Sequence, residues 1–285
     1  MLRNEGDRLS RVVVCSPGDE YCCVSDLQRH NIIERADGDK AMRQHDALKR
    51  CLTDFGAEVI DVPELAHHPN SVFTRDTALC TPTGYIKLRL GLESRRGEEE
   101  WMGRILVSLA EPLVGEIVAP GTVEGGDVIL AGSVAFVGRS IRTNDEGVEQ
   151  LAVLLRARDY EVRVIPLPDS ILHLDKAMML AGPHLAIRCR GLIPDESLRG
   201  FETTEIVCAG GVTANVICLG ENEVIVERSN QETVKQLKAQ GLVVHELDLS
   251  EFVKGSGGPN CLILPVEREQ AAPPGARSGA QSQQG

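Results

Sequence analysis

Apolar residues recur along this chain with two alternating periods, one typical of helices and one typical of strands. Three segments begin with helical spacing and pass, after a short turn, into a run rich in β-branched residues: residues 48–65 (LKRCLTDFGAEVIDVPEL), 151–169 (LAVLLRARDYEVRVIPLPD) and 234–251 (VKQLKAQGLVVHELDLSE). Spacing of three and four residues places apolar side chains on one helix face, whereas β-branched runs favour strands. Each segment therefore predicts a helix followed by a strand.

Paired short apolar runs with tight turns lie between these segments. They occupy residues 77–88 (TALCTPTGYIKL), 128–138 (VILAGSVAFVG) and 215–227 (NVICLGENEVIVE), and each is typical of a β-hairpin. The recurring unit is thus strand, strand, helix, strand, which predicts an α/β fold. Because one such unit cannot bury its own sheet face, the repeat indicates a closed, propeller-like ring in which strand ends meet at a central pocket. A doubly wound sheet is the alternative, but the hairpins and the lack of a glycine-rich turn after the first strand weaken it.

Length and composition are those of one globular domain with a tail. The chain has 285 residues, 42% hydrophobic and 25% charged, within the range of large single α/β domains. The last 18 residues are rich in Gly, Ser, Gln, Ala and Pro and contain too few apolar residues to build a core. We expect a single domain over residues 1–267 and a disordered tail over residues 268–285.

The charge of the chain limits the partners that it could bind. The formal net charge is -12 and the sequence pI is about 5.1, which argues against nucleic acid and against an acidic membrane surface as partners, since both require clustered Lys and Arg. The N-terminal segment predicts neither a signal peptide nor an anchor, and no apolar stretch approaches about 18 residues. We expect a cytoplasmic protein, and the sequence leaves the oligomeric state open, a homo-oligomer included.

Nine cysteines are present, and most are expected to be packing residues. Five of them lie in or beside apolar runs, where a free cysteine behaves as a small hydrophobic residue and no disulfide is expected in a reducing compartment: Cys15, Cys80, Cys189, Cys208 and Cys218. No pair has the C-x-x-C spacing of a zinc site. Metal binding is therefore not expected, although ligands could converge from distant segments.

The candidate chemistry lies in four separated segments. They are residues 67–81 (HHPNSVFTRDTALCT), 122–130 (TVEGGDVIL), 172–180 (LHLDKAMML) and 257–266 (GGPNCLILPV). Each segment alone is weak evidence of catalysis, because an isolated His or an Asp in a turn is usually structural. Together they supply a Cys, a His and several carboxylates beside strands of successive units, the parts of a thiolate nucleophile with an acid/base partner. A cysteine peptidase is disfavoured, since its nucleophile often begins a helix whereas Cys261 enters an apolar strand.

These motifs resemble those of the guanidine-modifying enzymes of the pentein superfamily. PNSVFTRDT, EGGD, HLD and the near-terminal GGPNC are similar to the arginine deiminase pattern, while GRSIRTNDEG and ESRRGEEE resemble dimethylarginine dimethylaminohydrolase. The similarity spans residues 70–261. It implies a five-fold pseudosymmetric α/β propeller (the pentein fold) built from units like those described above.

The resemblance also implies roles for individual residues. Cys261 matches the thiolate that attacks the guanidinium carbon, and the bound cation itself favours the charged sulfur. His173 matches the acid that protonates the leaving amine and the base that then activates water on a covalent thiouronium intermediate. Glu124 resembles the carboxylate that orients this histidine, and Asp127 is expected to support the turn.

The remaining predicted site residues would bind the substrate, and no metal or other cofactor is implied. Asp76 and Asp175 match two acids that grip the planar guanidinium. Arg96 and Arg142 would bind an α-carboxylate, with Arg95 as the alternative to Arg96, although a solvated charge run is nearly as good an interpretation of ESRRGEEE. The pocket would be lined or braced by Asn70, Phe73 and Arg75.

The substrate hypothesis depends on two of these positions. Asp175 within HLD and Arg75 before Asp76 are deiminase features, whereas the dimethylarginine enzymes typically carry Lys and Glu there. Two carboxylates facing the fork need N–H donors on both terminal nitrogens, and dimethylation removes two donors; such a site rejects analogues by up to about 10⁴-fold. We therefore favour hydrolysis of L-arginine to citrulline and ammonia.

Several alternatives remain open. The compact length resembles the dimethylarginine enzymes and the short arginine dihydrolases, which give ornithine, and Ser256 replaces an arginine typical of deiminases. Dimethylargininase activity (dimethylarginine to citrulline and dimethylamine), arginine dihydrolase activity and amidinotransferase activity are therefore retained. A pentein-fold binding protein is the non-enzyme alternative, since fold alone does not establish catalysis.

Overall fold

The computed structural model describes residues 2–208 and 211–270 and has a mixed α/β architecture. Its strands, in chain order, are β1 (Arg8–Cys15), β2 (Glu58–Val62), β3 (Ala78–Thr81), β4 (Gly84–Lys87), β5 (Leu113–Glu116), β6 (Val128–Ala131), β7 (Val134–Arg139), β8 (Glu161–Pro166), β9 (Met178–Leu180), β10 (Leu185–Cys189), β11 (Glu202–Ile206), β12 (Val216–Gly220), β13 (Glu223–Glu227), β14 (Val243–Leu247) and β15 (Leu264–Glu269). The helices are α1 (Asp19–Cys22), α2 (Gly38–Phe55), α3 (Glu98–Ser108), α4 (Asp145–Arg156), α5 (Leu174–Ala177), α6 (Gln231–Ala239) and α7 (Ser250–Val253).

Within these described residues the strands form five three-stranded sheets with one repeated pattern. In each sheet the first two strands pair antiparallel, and the third lies parallel to the second. Four sheets use consecutive strands: β3–β5, β6–β8, β9–β11 and β12–β14. The fifth sheet joins the two ends of the described chain, because β15 supplies the first strand beside β1 and β2.

Among the described residues, a helix connects the second strand to the third in four sheets, and the sequence pattern predicts three of these helices. These helices are α2, α3, α4 and α6. In the β9–β11 sheet a 3₁₀ turn, Asp195–Leu198, takes this place. The connection there carries Gly191, Pro194 and Gly200, which disfavour a helix. The predicted helix-to-strand segments correspond to α2 with β2, α4 with β8 and α6 with β14.

Capping residues mark both ends of α2 and the start of α4. At α2, the Asp37 side chain accepts a hydrogen bond from the Lys40 amide at 2.8 Å, and Gly56 ends the helix with a φ of 100°. At α4, the Asn144 side chain accepts from the Gly147 amide at 2.9 Å. Side-chain caps satisfy amides that have no partner within the helix, and a left-handed residue after the last turn favours glycine.

Neighbouring sheets contact one another in the order expected for a ring. β15 contacts β3, β1 contacts β12, and β9 contacts both β12 and β6. A bridge between Arg89 and Val123 links the remaining pair of sheets. The apolar core fills the spaces between the sheets and beneath the helices. This arrangement confirms the repeated α/β architecture and is consistent with five propeller blades.

Two expectations about the chain need correction. β15 continues through Arg268, which is buried and donates to the carbonyls of Asp7 and Cys218 at 2.6 and 2.8 Å. The ordered domain therefore runs two residues beyond the predicted boundary at 267, to Glu269, and the rest of the predicted tail from residue 271 lies outside the described residues.

Among the described residues, no helix has the length and apolar character that crossing a bilayer would require.

The second correction concerns the cysteines. Cys15, Cys80 and Cys218 are buried packing residues, as expected. Cys189 and Cys208, however, form a disulfide with a Cα–Cα distance of 5.4 Å. Parallel pairing of β10 with β11 brings the ends of these strands together, so the two thiols meet although 19 positions separate them in sequence.

Candidate active site

The four predicted segments occupy equivalent places in four of the five sheets. Each forms a short turn directly before the first strand of its sheet: Pro69–Val72 and Thr74–Asp76 before β3, Gly125–Asp127 before β6, α5 before β9, and Asn260–Leu262 before β15. The turns contact one another. Because these turns contact one another, side chains at the four starting positions converge.

A cavity lies where these turns meet. Seven of the predicted residues line it: Asn70, Phe73, Asp76, Glu124, Arg142, His173 and Cys261. The cavity has a volume of about 20 Å³, which is room for about one water molecule. Seven predicted residues thus surround one small cavity in this conformation.

A buried ion pair joins His173 and Glu124. His173 Nε2 lies 2.6 Å from Glu124 Oε2, and both side chains are buried. The other oxygen, Glu124 Oε1, accepts from the amides of Gly91 and Leu92 at 3.0 and 3.1 Å. These contacts fix the carboxylate and, through it, the imidazole. The arrangement is that of an acid/base group held by an orienting carboxylate.

Charges around His173 favour its protonated form. Burial opposes the charge, but Asp76, the hydrogen bond with Glu124 and the charge of Asp127 outweigh it and raise the pKa of His173 to about 9. His173 Nδ1 lies 3.9 Å from Asp76 Oδ1. Burial likewise opposes charge on Glu124, but its bond with His173 lowers the pKa of this carboxyl. The imidazole is therefore positioned and charged to donate a proton.

Cys261 is buried beside a carboxylate. Only 4% of its surface is exposed, and its Sγ lies 3.8 Å from Asp175 Oδ2. Burial, followed by the charge of Asp175, raises the pKa of the Cys261 thiol to about 12. The sulfur is therefore neutral in the empty site at neutral pH. A cation bound beside it would favour the thiolate.

The two glycines of GGPNC allow the chain to approach its neighbours closely. A Cβ at Gly257 would lie 2.3 Å from Phe73 Cε1, and a Cβ at Gly258 would lie 2.5 Å from Asn215 Oδ1. Both distances are far below van der Waals contact. Glycine at these positions therefore lets the turn that carries Cys261 pack against the ring of Phe73 and the amide of Asn215.

The two predicted guanidinium-binding acids have different positions. Asp76 lines the cavity, and its Oδ1 accepts from the Gly126 amide at 3.0 Å. Asp175 does not line the cavity in this conformation but lies behind Cys261, fully buried. Its Oδ2 accepts from Asn260 Nδ2 at 3.1 Å, whereas its Oδ1 has no hydrogen-bond partner among the described residues. Asp175 Oδ1, the oxygen other than the one that lies 3.8 Å from the sulfur, is thus left for another donor.

Of the two adjacent arginines, Arg95, the alternative in the prediction, lines the cavity, whereas Arg96, the predicted residue, does not line it in this conformation. Arg95 lines the cavity, is 4% exposed and donates to Asp76 Oδ2 at 2.6 Å and to Glu98 Oε2 at 2.7 Å. Arg96 is exposed and only approaches the Leu90 carbonyl, at 3.4 Å. The 3₁₀ turn Glu93–Arg95 ends between the two residues and directs their side chains apart.

The remaining predicted residues divide into lining and bracing side chains. Arg142 lines the cavity, with its Nη1 3.9 Å from Glu124 Oε1. Asn70 also lines it and donates to the His30 carbonyl at 2.9 Å. Phe73 packs edge-on against Tyr21, with ring centroids 5.8 Å apart. Arg75 does not line the cavity; it is buried behind the site, where it bonds the Gly125 carbonyl at 3.1 Å and Glu5 at 2.9 Å.

Asp127 supports the turn beside His173. Its Oδ2 accepts from the hydroxyls of Ser140 and Thr143 at 2.6 and 2.7 Å, and its Oδ1 accepts from the Leu174 amide at 2.8 Å. Burial raises the pKa of Asp127 to about 6. These bonds join the turn before β6 to the residue that follows His173.

Two loops close the cavity. Asn31 and Ser256 both line it, and Ser256 Oγ donates to the Asn31 carbonyl at 3.1 Å. Both residues have positive φ angles, 55° and 64°. Amides of Ile33 and Glu34 donate to the Lys254 carbonyl at 2.7 and 3.2 Å. These two hydrogen-bonded loops therefore form part of the cavity wall.

Three side chains carry ligand atoms close enough together to hold a metal ion. One atom each from Asp76, Glu124 and His173 lies within 4.8 Å of the others. The same three groups already form the hydrogen-bonded and ion-paired network described above. Their mutual contacts account for the cluster.

Comparison with known proteins places the chain in a family. The family model described as N,N dimethylarginine dimethylhydrolase, eukaryotic, matches residues 24–268. The chain belongs to this dimethylarginine dimethylaminohydrolase family. The N(G),N(G)-dimethylarginine dimethylaminohydrolase of Pseudomonas aeruginosa is 32% identical over 225 residues, covering 79% of this chain and 88% of that protein.

A solved structure and one further relative connect this member of the dimethylarginine dimethylaminohydrolase family with the wider pentein superfamily. A crystal structure of the Pseudomonas aeruginosa enzyme, a mutant complexed with citrulline, has a TM-score of 0.80 at 28% identity and covers 90% of this chain and 99% of its own. The arginine deiminase of Listeria welshimeri is 28% identical over 253 residues, covering 70% of this chain and 62% of the deiminase. The predicted superfamily and fold are confirmed, and the chain is a hydrolase acting on guanidino groups.

Sequence reasoning missed a polar residue beside the Cys261 sulfur. Asn215 directly precedes β12, the first strand of the β12–β14 sheet, and its Nδ2 lies 3.5 Å from Cys261 Sγ. An uncharged side chain at the start of the predicted hairpin NVICLGENEVIVE gave no chemical signal by itself. Asn215 precedes the first strand of its sheet, as the four predicted turns do, and this position in the repeat could have identified it.

Proposed function

We propose that this protein hydrolyses L-arginine to citrulline and ammonia through a covalent intermediate on Cys261. Asp76 and Asp175 bind the guanidinium beside the sulfur. The observation that supports this proposal best is the pair of carboxylates there, one with an oxygen that has no partner among the described residues. A planar guanidinium satisfies two carboxylates through parallel N–H donors.

The first half of the reaction forms a C–S bond and breaks a C–N bond. The bound cation favours loss of the Cys261 proton to solvent water, and the thiolate adds to the guanidinium carbon. His173, which its neighbours keep protonated, gives its proton to the departing nitrogen, and ammonia leaves. The product of this half is a thiouronium on Cys261.

The second half reverses the roles of the histidine. Neutral His173, oriented by Glu124, takes a proton from water as the water oxygen attacks the thiouronium carbon. Collapse of the adduct breaks the C–S bond, releases citrulline and leaves the sulfur to regain its proton. One water molecule is consumed for each ammonia released.

The far end of the substrate would be an α-carboxylate held by cationic side chains. Arg142 and Arg95 both line the cavity. The guanidinium of Arg95 is already bonded to Asp76 and Glu98. Among the described residues, the guanidinium of Arg142 makes only a 3.9 Å ion pair with Glu124. We assign the main carboxylate contact to Arg142 and a supporting one to Arg95.

Dimethylarginine is the second candidate substrate. The family model and the Pseudomonas aeruginosa relative are both named for this activity. A dimethylated nitrogen has no N–H, so Asp76 or Asp175 would receive no hydrogen bond from that nitrogen of the substrate in a buried site. An unpaired buried acceptor costs about 1–3 kcal/mol, more when charged, and for that reason we favour unmethylated arginine.

A quenched-turnover experiment tests the proposed chemistry. Full-length protein is mixed with excess L-arginine, quenched in acid within milliseconds to seconds and examined by intact and peptide mass spectrometry, with ammonia and citrulline measured in parallel. The expected result is a transient adduct on the peptide containing Cys261 and equal amounts of citrulline and ammonia. Ornithine as the main product, or turnover retained in Cys261→Ser, would contradict the proposal.

A further inference from the structure

The repeated architecture indicates one more residue at the reacting centre. In four sheets the turn before the first strand supplies side chains of the candidate active site. The remaining sheet begins at β12, and the residue directly before it is Asn215, which is 1% exposed. A neutral amide therefore precedes the first strand of that sheet and contacts Cys261.

Hydrogen bonds fix which way this amide faces. Asn215 Oδ1 accepts from the backbone N–H of Asn260 at 2.9 Å. Since an N–H can pair only with the oxygen, the amide Nδ2 must point the other way, to Cys261 Sγ at 3.5 Å. Gly258 makes this approach possible, because a Cβ there would lie 2.5 Å from Asn215 Oδ1.

The backbone around Asn215 is held on both sides. The Ala214 amide donates to the Lys176 carbonyl at 2.9 Å. The Thr213 carbonyl accepts from Asn230 Nδ2 at 2.7 Å and from Thr233 Oγ1 at 2.9 Å. The donor to the sulfur is therefore built into the fold and needs no rearrangement when the sulfur becomes charged.

We propose that Asn215 is a catalytic residue whose Nδ2–H donates a hydrogen bond to the Cys261 sulfur and stabilises its thiolate. The inference rests on the proposed function only in that Cys261 is taken as the nucleophile. A donor to a charged sulfur forms a stronger bond than a donor to a neutral thiol, so the contact favours the reactive form. Asn260, which donates to Asp175 at 3.1 Å, acts only through that carboxylate and is a positioning residue.

The surroundings of Cys261 explain why such a donor is needed. Burial, Asp175 and Asp76 all disfavour negative charge on the sulfur, while Lys176 and the Gly258 amide favour it. His173 also lines the cavity. Like the Gly258 amide, and unlike the charged side chains, Asn215 acts on the sulfur without adding charge. It can therefore stabilise the thiolate without repelling a cationic substrate.

Two substitutions remove the donor in different ways. Asn215→Asp keeps the shape and the acceptor for the Asn260 amide but replaces Nδ2 with a carboxylate oxygen. Asn215→Leu removes both polar atoms at similar volume. The matched control is Asn230→Ala, which removes a brace on the Thr213 carbonyl from the same segment without touching the sulfur.

The test measures alkylation of Cys261 by iodoacetamide in substrate-free, full-length protein at pH 7, 8 and 9. Peptide mass spectrometry isolates the Cys261 signal from the other thiols. We expect Asn215→Leu to slow alkylation about tenfold at each pH, which corresponds to a rise of about one unit in the pKa of the Cys261 thiol. Asn215→Asp is expected to slow alkylation further. Asn230→Ala is expected to alkylate at the wild-type rate.

Two outcomes would overturn the inference. One is wild-type alkylation in both Asn215 variants with circular dichroism showing a native fold. The other is an equal slowing in Asn230→Ala, which would assign the effect to the segment rather than to the donor. Because no substrate is present, the result is independent of turnover. Wild-type protein that fails to consume arginine would contradict the proposed function while leaving this inference in place.

Discussion

Two adjacent arginines provide a matched pair for testing how the cavity is built. Arg95 donates to Glu98 through Nε and Nη2 at 3.0 and 2.7 Å, to Asp76 through Nη1 at 2.6 Å, and to the Phe73 carbonyl at 3.0 Å. Its neighbour Arg96 is exposed, with one long contact to a carbonyl. Replacing either with Met keeps much of the aliphatic stem and removes the guanidinium.

The expected magnitudes differ widely. Arg95→Met leaves Glu98 and Asp76 buried without their cation; burial already raises the pKa of Glu98 to about 7 with Arg95 in place. Removing one partner of a buried ion pair costs about 3–5 kcal/mol. Arg96→Met removes an exposed charge, and such substitutions usually change stability by less than about 0.5 kcal/mol.

Urea denaturation followed by circular dichroism at pH 7 measures both values. We expect the free energy of unfolding to fall by about 3–5 kcal/mol in Arg95→Met and to stay within about 0.5 kcal/mol of wild type in Arg96→Met. Turnover of the guanidino substrate should be lost in the first variant and kept in the second. A loss below about 1 kcal/mol in Arg95→Met, or weakened substrate binding in Arg96→Met alone, would refute the assignment.

Three further predictions concern single groups. The pKa of His173 in the folded protein, about 9, lies above its unfolded value of 6.5, so its contribution to stability is present below pH 6.5 and is lost as pH rises through 9. His173→Gln should therefore destabilise the fold more at pH 6 than at pH 10, by up to about 3 kcal/mol; equal losses in urea denaturation would exclude this. Cys208→Ser should lower the free energy of unfolding by about 3 kcal/mol without reductant and by much less with dithiothreitol, and no difference between the two conditions would argue against the disulfide. Gly257→Ala forces a Cβ to within 2.3 Å of the Phe73 ring and should cost about 1–3 kcal/mol; a melting temperature equal to wild type would show that the turn relaxes freely.

The repeat could be predicted because its signals are local. Hairpin turns and amphipathic helices are encoded by neighbouring residues, so the sequence pattern predicts the repeated unit and where its strands begin. Asp76, Glu124, His173 and Cys261 all lie in or beside the short turns that precede first strands, and the fold brings them to one cavity. Their convergence follows from the repeat together with the place of each residue in it.

Other features depend on contacts that no local pattern encodes. The choice between Arg95 and Arg96 is made by a 3₁₀ turn that buries one and exposes the other. The pairing of Cys189 with Cys208 requires parallel alignment of β10 and β11. Asn215 carries no charge and has no motif of its own, so only its equivalence to the other four turns marks it.

The relative turnover of arginine and asymmetric dimethylarginine tests the central claim most directly. Wild-type protein and Asp175→Lys are given each substrate alone, and kcat/KM is obtained from citrulline formation. We predict that the wild type prefers arginine by up to about 10⁴-fold, because methylation leaves a buried carboxylate unpaired, and that Asp175→Lys loses most of its activity on arginine. A wild-type preference for dimethylarginine, or an unchanged kcat/KM for arginine in Asp175→Lys, would contradict the role assigned to the second carboxylate.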